Sequence, residues 1–252
     1  MISAFAVEGL PEVRAGTDLG ALIVDTIAQS GALPLDRTDI VAIAHKVVSK
    51  AEGRVRALAE VLPTLRAVEL AAAGGRDPRH VQVVLDESRE IVREAPGVIV
   101  CETRHGFVCA NAGVDQSNVP GEDAVLMLPL DPDGSARAIR ARTHELTGVS
   151  PGVLISDSFG RAWRTGQADV AIGLAGVTPL EDWRGSFDAY GREMQATVIA
   201  VGDLLAGMAD LARRKNAAQP VVVLRGVECY VTTEDGPGVA PLLRERSQDL
   251  FR

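Results

Sequence analysis

Val153-Leu154-Ile155-Ser156-Asp157-Ser158-Phe159-Gly160 is the stretch on which the reading of this chain turns. Its apolar, β-favouring start predicts a buried strand over 153–156. The strand then runs into an Asp flanked by hydroxyl side chains. Upstream, Ala110-Asn111-Ala112-Gly113-Val114-Asp115-Gln116-Ser117-Asn118 repeats the design, with a β-type run ending in an Asp followed by amide and hydroxyl groups. Two hard-oxygen clusters are therefore expected where strands hand over to loops, a pattern suited to holding a hard divalent cation against a phosphate.

Outward from these clusters, strands are expected over 4–8, 39–44, 97–102, 106–110, 124–128, 169–175 and 220–224, with a shorter one at Ile91-Val92. Helices are expected from a Thr17 or Asp18 cap to Gln29, stopped by Gly31, and over 65–73 and 78–87. Asp131-Pro132-Asp133-Gly134-Ser135 resembles a calcium loop but lacks the later ligands, and reads better as the start of a helix to about Leu146. Residues 193–213 carry the longest helical pattern, and 45–54 form a polar element between apolar runs. Helices and strands interleave without a regular βαβ period, which favours an α+β fold with mixed sheets and packed helices. No repeat or linker divides the chain, so any two subdomains must be intimately associated.

The chain has 252 residues, 46% of them hydrophobic, enough for one large core or two closely packed smaller ones. A net charge of −8 argues against a nucleic-acid surface, and aromatics at 4% are too few for base-stacking platforms. Any anionic ligand must be held by a local basic cluster or by metal ions. Cys101, Cys109 and Cys229 form no Cys-x-x-Cys pair and read as reduced thiols of a cytoplasmic protein. The N-terminus lacks the features of a signal peptide, and no apolar run approaches the ~20 residues that span a bilayer, so no membrane partner is expected.

The common nucleotide signatures, a P-loop and Gly-x-Gly-x-x-Gly, are absent, as are the zinc-peptidase motif and the Gly-x-Ser-x-Gly elbow. Lys50, preceded by Ser49 and followed by Arg54, either points donors at phosphate or belongs to a solvated turn. Asp115 and Asp157 are ligands of the kind Mg²⁺ or Mn²⁺ requires, and an Asx-turn role competes for each. Asn118 can reach a nucleotide, and the Ser158 hydroxyl can complete a second metal shell. Arg104, His105, Arg161 and Arg164 add cationic groups near the same strand ends, though His105 equally fits a satisfied core histidine.

Taken in order, Val7-Glu8-Gly9-Leu10-Pro11-Glu12-Val13, Val48-Ser49-Lys50-Ala51-Glu52-Gly53-Arg54, Arg104-His105-Gly106-Phe107-Val108, the 110–118 run, Leu128-Pro129-Leu130-Asp131-Pro132-Asp133 and Ser156-Asp157-Ser158-Phe159-Gly160-Arg161 resemble the F420-0:gamma-glutamyl ligases. The resemblance covers nearly the whole chain. It implies an enzyme that uses GTP to add L-glutamate to the deazaflavin precursor F420-0, and then a second, gamma-linked glutamate. It also implies a homodimer of two interwoven α/β subdomains, two Mg²⁺ or Mn²⁺ ions per site, and K⁺ as a further candidate ion. Carried over by position, Leu10, Pro11, Glu12, Val13, His45, Lys46 and Lys50 line the GTP site. Asp115 and Asp157 hold the first metal, Ser158 the second, and Asn118 touches the nucleotide.

Two departures stand out. Relatives tend to have Gly followed by Lys or Gln where this chain reads Arg213-Arg214-Lys215-Asn216, and a lysine at the metal-facing position cannot ligate a cation. The C-terminal flavin-binding, reductase-like domain of some relatives is not expected in a chain ending at Arg252. Two other classes share these residues. A metal-dependent nucleotide hydrolase or phosphatase would use the Asp pair without a glutamate site, and a non-catalytic nucleotide-binding protein would keep Lys50 without metal dependence.

Overall fold

Ile40-Val41-Ala42-Ile43-Ala44 carries no polar side chain because both faces of this strand are covered, and its first four residues are fully buried. It lies at the centre of the main sheet. The computed structural model describes residues 1–30, 34–117, 119, 123–214 and 216–251. In chain order the elements are β1 (Ser3–Ala6), α1 (Leu19–Gln29), β2 (Ile40–Ala44), α2 (His45–Ala51), β3 (Val55–Ala57), α3 (Leu65–Gly74), α4 (Pro78–Asp86), β4 (Ser88–Ala95), β5 (Val98–Thr103) and β6 (Val108–Ala110). There follow β7 (Ala124–Leu126), α5 (Pro132–Thr147), β8 (Gly152–Arg161), β9 (Arg164–Ala175), β10 (Glu181–Asp182), β11 (Val198–Ile199), α6 (Val201–Ala212) and β12 (Val221–Arg225).

The main sheet has the order β1-β12-β2-β8-β9. Its pairs are antiparallel except β2 with β8, which run parallel. Separate small sheets are formed by β4-β5-β6, β3-β7 and β10-β11. The fold is thus mixed α+β, as the irregular alternation of elements predicts. Along β9, a Cβ on Gly173 would strike Pro132 at the start of α5, whereas Leu174 reaches Gly202 of α6. Neighbouring residues of a strand point to opposite faces, so α5 and α6 cover the two sides of the sheet.

Buried apolar residues fall into two clusters. The larger joins the main sheet to α1, α5 and α6 through residues such as Ile23, Ile43, Leu154, Ile172, Leu205 and Val223. The smaller gathers Leu58, Leu70, Val81, Val84, Ile99, Cys101, Val125 and Met127 between α3, α4 and the small sheets.

Two helix starts follow the cap chemistry read from sequence: Asp18 caps α1, and Asp131 accepts the Gly134 N–H at 2.8 Å to open α5. The structure adds Thr64 and Asp77 as the caps of α3 and α4. Gly31, expected to stop α1, lies outside the described residues; the helix ends at Gln29 with Ser30 as its cap. The element expected after β2 begins as a helix, α2. One expectation needs correcting. Residues 193–200 are not helical, because β11 pairs with β10 and the connection is closed by Trp183 N–H to Thr197 O and Gly185 N–H to Met194 O. The helix therefore begins at Val201, and α5, with 16 residues, is the longest among the described residues. No helix among the described residues is long and apolar enough to cross a membrane.

The sheet edge beside β2 is tied by a fork of charge. Arg225, ending β12, donates from Nε to Asp39 Oδ1 at 2.7 Å and from Nη2 to Oδ2 at 2.6 Å, and Asp39 is fully buried. Arg225→Ala leaves that carboxylate without its charge partner. Urea unfolding is expected to show a loss on the order of 3 kcal/mol, and an unchanged midpoint would remove the pair from this description of the fold.

Candidate active site

The parallel pair β2/β8 places Ala44 opposite Ser156. Whatever follows the two strands shares one end of the sheet, where open α/β sheets bind ligands beyond the carboxyl ends of their strands. After β2 come His45 and Lys46, and after Ser156 come Asp157 and Ser158. β12 enters at the same end, since Val221 pairs with Ile43, and β1 leaves there, since Ala6 pairs with Val222. The segments around 10–15, 44–50, 156–158 and 213–220 thus converge on a cleft of about 1190 Å³.

Most residues singled out in the sequence meet in this cleft. Leu10, Pro11, Glu12, Val13, His45, Lys46, Lys50, Asp157 and Ser158 all line it. Lys50 Nζ sits 2.6 Å from Glu12 Oε1. His45 is buried, with Nδ1 3.2 Å from Ser49 Oγ and Nε2 3.3 Å from Asp157 Oδ1, yet Nε2 makes no hydrogen bond. Asp157 does not end a strand as expected but lies inside β8, because the strand continues past it into a hairpin with β9. Its Oδ1 accepts the Ser158 N–H at 2.7 Å, a contact between neighbours rather than an Asx-turn.

Asp115 is not among the described lining residues but is coupled to one that is. It follows a 3₁₀ turn, Asn111–Gly113, not a strand end, and exchanges backbone hydrogen bonds with Leu126. Asn111 and Ala112 hold φ of 53° and 52° there, a local strain stabilised by Arg76 donating to Asn111 Oδ1 at 2.9 Å. Lys46 Nζ lies 2.5 Å from both Asp115 Oδ2 and Ser117 Oγ, and Ser117 N–H donates to Asp115 Oδ1 at 2.8 Å, so Asp115 does form the Asx-turn. Burial pushes the Asp115 carboxyl up, but the Lys46 ammonium with the Ser117 N–H and hydroxyl outweighs it and holds the group below the usual carboxylate range. Asn118 and Lys215 lie outside the described residues.

The remaining cations serve other ends. Arg54 donates to Leu128 O at 2.9 Å and to Glu87 Oε2 at 2.7 Å, which ties the turn after α2 to the end of α4 instead of facing phosphate. His105 Nε2 contacts the Pro129 and Leu130 carbonyls, Arg104 the Asp86 carbonyl and Arg161 the Thr165 carbonyl. None of these, nor Arg164, is among the described lining residues.

What the sequence reading missed is Asp169. In the sequence it is only the first residue of an apolar strand, yet it is buried on the cleft wall and accepts from Ser156, Ser158 and Arg213. An Asp opening Asp169-Val170-Ala171-Ile172 was the available signal, because a buried carboxylate is rare without partners.

The donors at this end suit a hard cation. Asp157, with a side chain 15% exposed, presents a carboxylate on which no described residue engages Oδ2, and Ser158 adds a hydroxyl. Among the described residues no group of three or more His, Cys, Asp or Glu could hold an ion alone. An ion here would draw further ligands from water or a bound phosphate, as Mg²⁺ commonly does. Asp115 already carries the Lys46 ammonium, so it would serve an ion only by exchange.

The model of the F420-0:Gamma-glutamyl ligase family matches residues 9–226. Over 252 residues, the whole of this chain and 99% of the other, it is 45% identical to the coenzyme F420:L-glutamate ligase of Methanothermobacter thermautotrophicus. The protein of that name from Methanopyrus kandleri is 46% identical over 243 residues, 96% of this chain and 94% of the other. That from Archaeoglobus fulgidus is 43% identical over 253 residues, 100% of this chain and 96% of the other. A match that spans the cleft, its walls and both apolar clusters is a match of the whole molecule, and the chain belongs to the F420-0:gamma-glutamyl ligase family.

Proposed function

We propose that this amide-forming ligase adds L-glutamate to F420-0 at the expense of GTP, and then a second, gamma-linked glutamate, in coenzyme F420 biosynthesis. The observation that carries the reading is the convergence of Leu10–Val13 residues, His45, Lys46, Lys50, Asp157 and Ser158 on one cleft. At about 1190 Å³ it exceeds the ~300–1,000 Å³ of ordinary small-molecule pockets, room for a nucleotide with part of a second substrate. We read the two apolar clusters as the two interwoven subdomains, and the assembly as the homodimer of the family. Three free thiols accord with a cytoplasmic location.

A carboxylate does not react with an amine at neutral pH, because oxide is not a viable leaving group. The acceptor carboxylate oxygen bonds to the γ-phosphorus of GTP while the β–γ bridging bond breaks, releasing GDP and leaving an acyl phosphate. The glutamate amine then bonds to the acyl carbon, phosphate leaves, and the nitrogen, an ammonium in free glutamate, sheds two protons in all and keeps one as the amide N–H. Lys50 and Lys46 reach the phosphate oxygens by exchanging Glu12 and Asp115 for them. Asp115, Asp157 and Ser158 would hold Mg²⁺ or Mn²⁺, which supplies charge neutralisation for the moving phosphoryl group. Buried walls around His45 and Asp169 keep water from the acyl phosphate.

Asp157→Asn is expected to lower turnover about 100-fold or more with the fold intact, since an amide is a poor ligand for a hard cation, and Asp115→Asn should behave alike. Steady-state assays at saturating Mn²⁺ check this; near-normal rates would remove the paired carboxylates from the account. Lys50→Ala removes a charge-assisted contact and should cost ~1.5–3 kcal/mol of GTP affinity, or roughly ten- to hundredfold. Calorimetric titration that found GTP affinity unchanged and deazaflavin affinity lost would reassign Lys50 to the acceptor. GTP cleavage should be slow without F420-0 and keep step with amide formation when acceptor and glutamate are both present. Hydroxylamine should trap the acceptor as its hydroxamate. Cleavage indifferent to acceptor, with no hydroxamate, would instead mark a hydrolase.

A further inference from the structure

His45 is brought to Asp157 by one regularity and to Ser49 by another. The β2/β8 register sets Ala44 opposite Ser156, so the residues that follow fall side by side, with His45 Nε2 3.3 Å from Asp157 Oδ1. The helical period of α2 then places Ser49 one turn beyond His45, with Oγ 3.2 Å from Nδ1. Ser49 is 0% and His45 2% exposed, so solvent serves neither, whereas Asp157 lines the cleft.

A hydroxyl buried this deeply has one proton to place. Nδ1 of His45 is the one side-chain partner that Ser49 Oγ has among the described residues. With a ring proton on Nδ1, Ser49 would accept from it and its own proton would be stranded. With the ring proton on Nε2 alone, Nδ1 accepts from the hydroxyl, and an N–H instead of a lone pair faces the carboxylate. That N–H is not aligned as a hydrogen bond, and hydrogen bonds of catalytic sites are often loose until ligands arrive.

We propose that Ser49 and His45 form a positioning relay for Asp157: the Ser49 hydroxyl donates to Nδ1, which keeps the ring proton on Nε2, and the Nε2–H steadies Oδ1 so that Oδ2 is turned to a cation. This rests on the cation reading of Asp157 proposed above. Oδ1 already accepts the Ser158 N–H at 2.7 Å, and a second donor on the same oxygen fixes the plane of the carboxylate. His45 acts through Asp157 and is not itself a ligand, because a proton on Nε2 occupies the electron pair that ligation would use.

Two readouts test the relay, and neither is turnover. The first is Mn²⁺ binding with GTP present and no acceptor, read from the free-ion electron paramagnetic resonance signal, with melting temperatures recorded in parallel. His45→Leu removes the N–H and should weaken Mn²⁺ about tenfold or more, as loss of a group that orients a metal ligand does. His45→Gln, whose amide N–H can reach toward Oδ1, should recover most of that loss. In the Asp157→Asn background His45→Leu should cost nothing further, since the two residues act as a unit. The second readout is the ring itself, seen in long-range proton–nitrogen correlation spectra of protein labelled with ¹⁵N-histidine and assigned through His45→Gln. Wild type should show a bare Nδ1 and a protonated Nε2, and Ser49→Ala should lose that fixed preference; this measurement decides where His45→Leu does not fold. A proton on Nδ1 in wild type would overturn the proposal. So would wild-type Mn²⁺ affinity in His45→Leu, equal losses in the Leu and Gln variants, or ¹⁵N-histidine modulation of the bound Mn²⁺ signal that vanishes in His45→Gln, which would make His45 a ligand. Absence of Mn²⁺ binding in wild type, or binding untouched by Asp157→Asn, would instead overturn the cation reading on which the proposal stands.

Discussion

The parallel pairing of β2 with β8 is the constraint on which the site depends. Five residue pairs, from Ile40 with Gly152 to Ala44 with Ser156, fix where His45 and Lys46 meet Asp157 and Ser158. A slip of one residue would turn every side chain of β8 to the other face and undo the arrangement. The register is locked at its origin by close packing. A Cβ on Gly152 would lie 2.9 Å from Ile40 Cγ1 and 2.8 Å from Val177 Cγ2, so only glycine lets the strands start together. β12 and β1 then deliver the Pro220 and Glu8 ends of their loops to the same edge.

Electrostatics explain how a chain of charge −8 could receive the polyphosphate of the proposed substrate. Among the described cations that line the cleft, Lys46, Lys50 and Arg213 are each held by a carboxylate, so a phosphate that takes over one of them exchanges one anion for another. The pairs differ in how readily they exchange. Glu12 is 58% exposed, and such a pair contributes only ~0–1 kcal/mol, so Lys50 is readily taken over. Arg213 with Asp169 is buried, and separating it would strand a charge at a cost of about 3–5 kcal/mol. Lys46 stands between these extremes, because Asp115 is half-buried and further tied to Ser117. Lys50 and Lys46 are thus the exchangeable cations, and Arg213 is architecture.

The legibility of this molecule in its sequence follows the range of the interactions involved. Local signals are legible: the caps at Asp18 and Asp131, the strand that becomes β2, and the irregular alternation that favours mixed α+β sheets all depend on neighbouring residues. The resemblance to the family assembled residues from 10 to 158, which no local rule could bring together. Non-local pairing was not readable. Residues 193–200 look helical until β11 finds β10, and Asp157 looks like a strand end until β9 folds back along β8. Asp169 owes its contact with Ser158 to that hairpin, which sets the two residues opposite each other. Arg54 was misjudged for the same reason, its true partners Glu87 and Leu128 being distant in the chain.

Among the described residues, four buried side-chain nitrogens have no hydrogen-bond partner, and three of them belong to His45 and Arg213 on the cleft wall. Each such group costs roughly 1–3 kcal/mol relative to a satisfied one. A fold selected only for stability would remove them. They persist because the surrounding layers are held independently: β2 is covered on both faces, Asp39 and Arg225 tie the sheet at its far end, and the smaller cluster is anchored through Arg54. The unsatisfied groups are thus concentrated beside the cleft, where the scaffold can bear them. A preorganised site carries its desolvation cost before the ligand arrives, and less reorganisation remains at the moment of reaction.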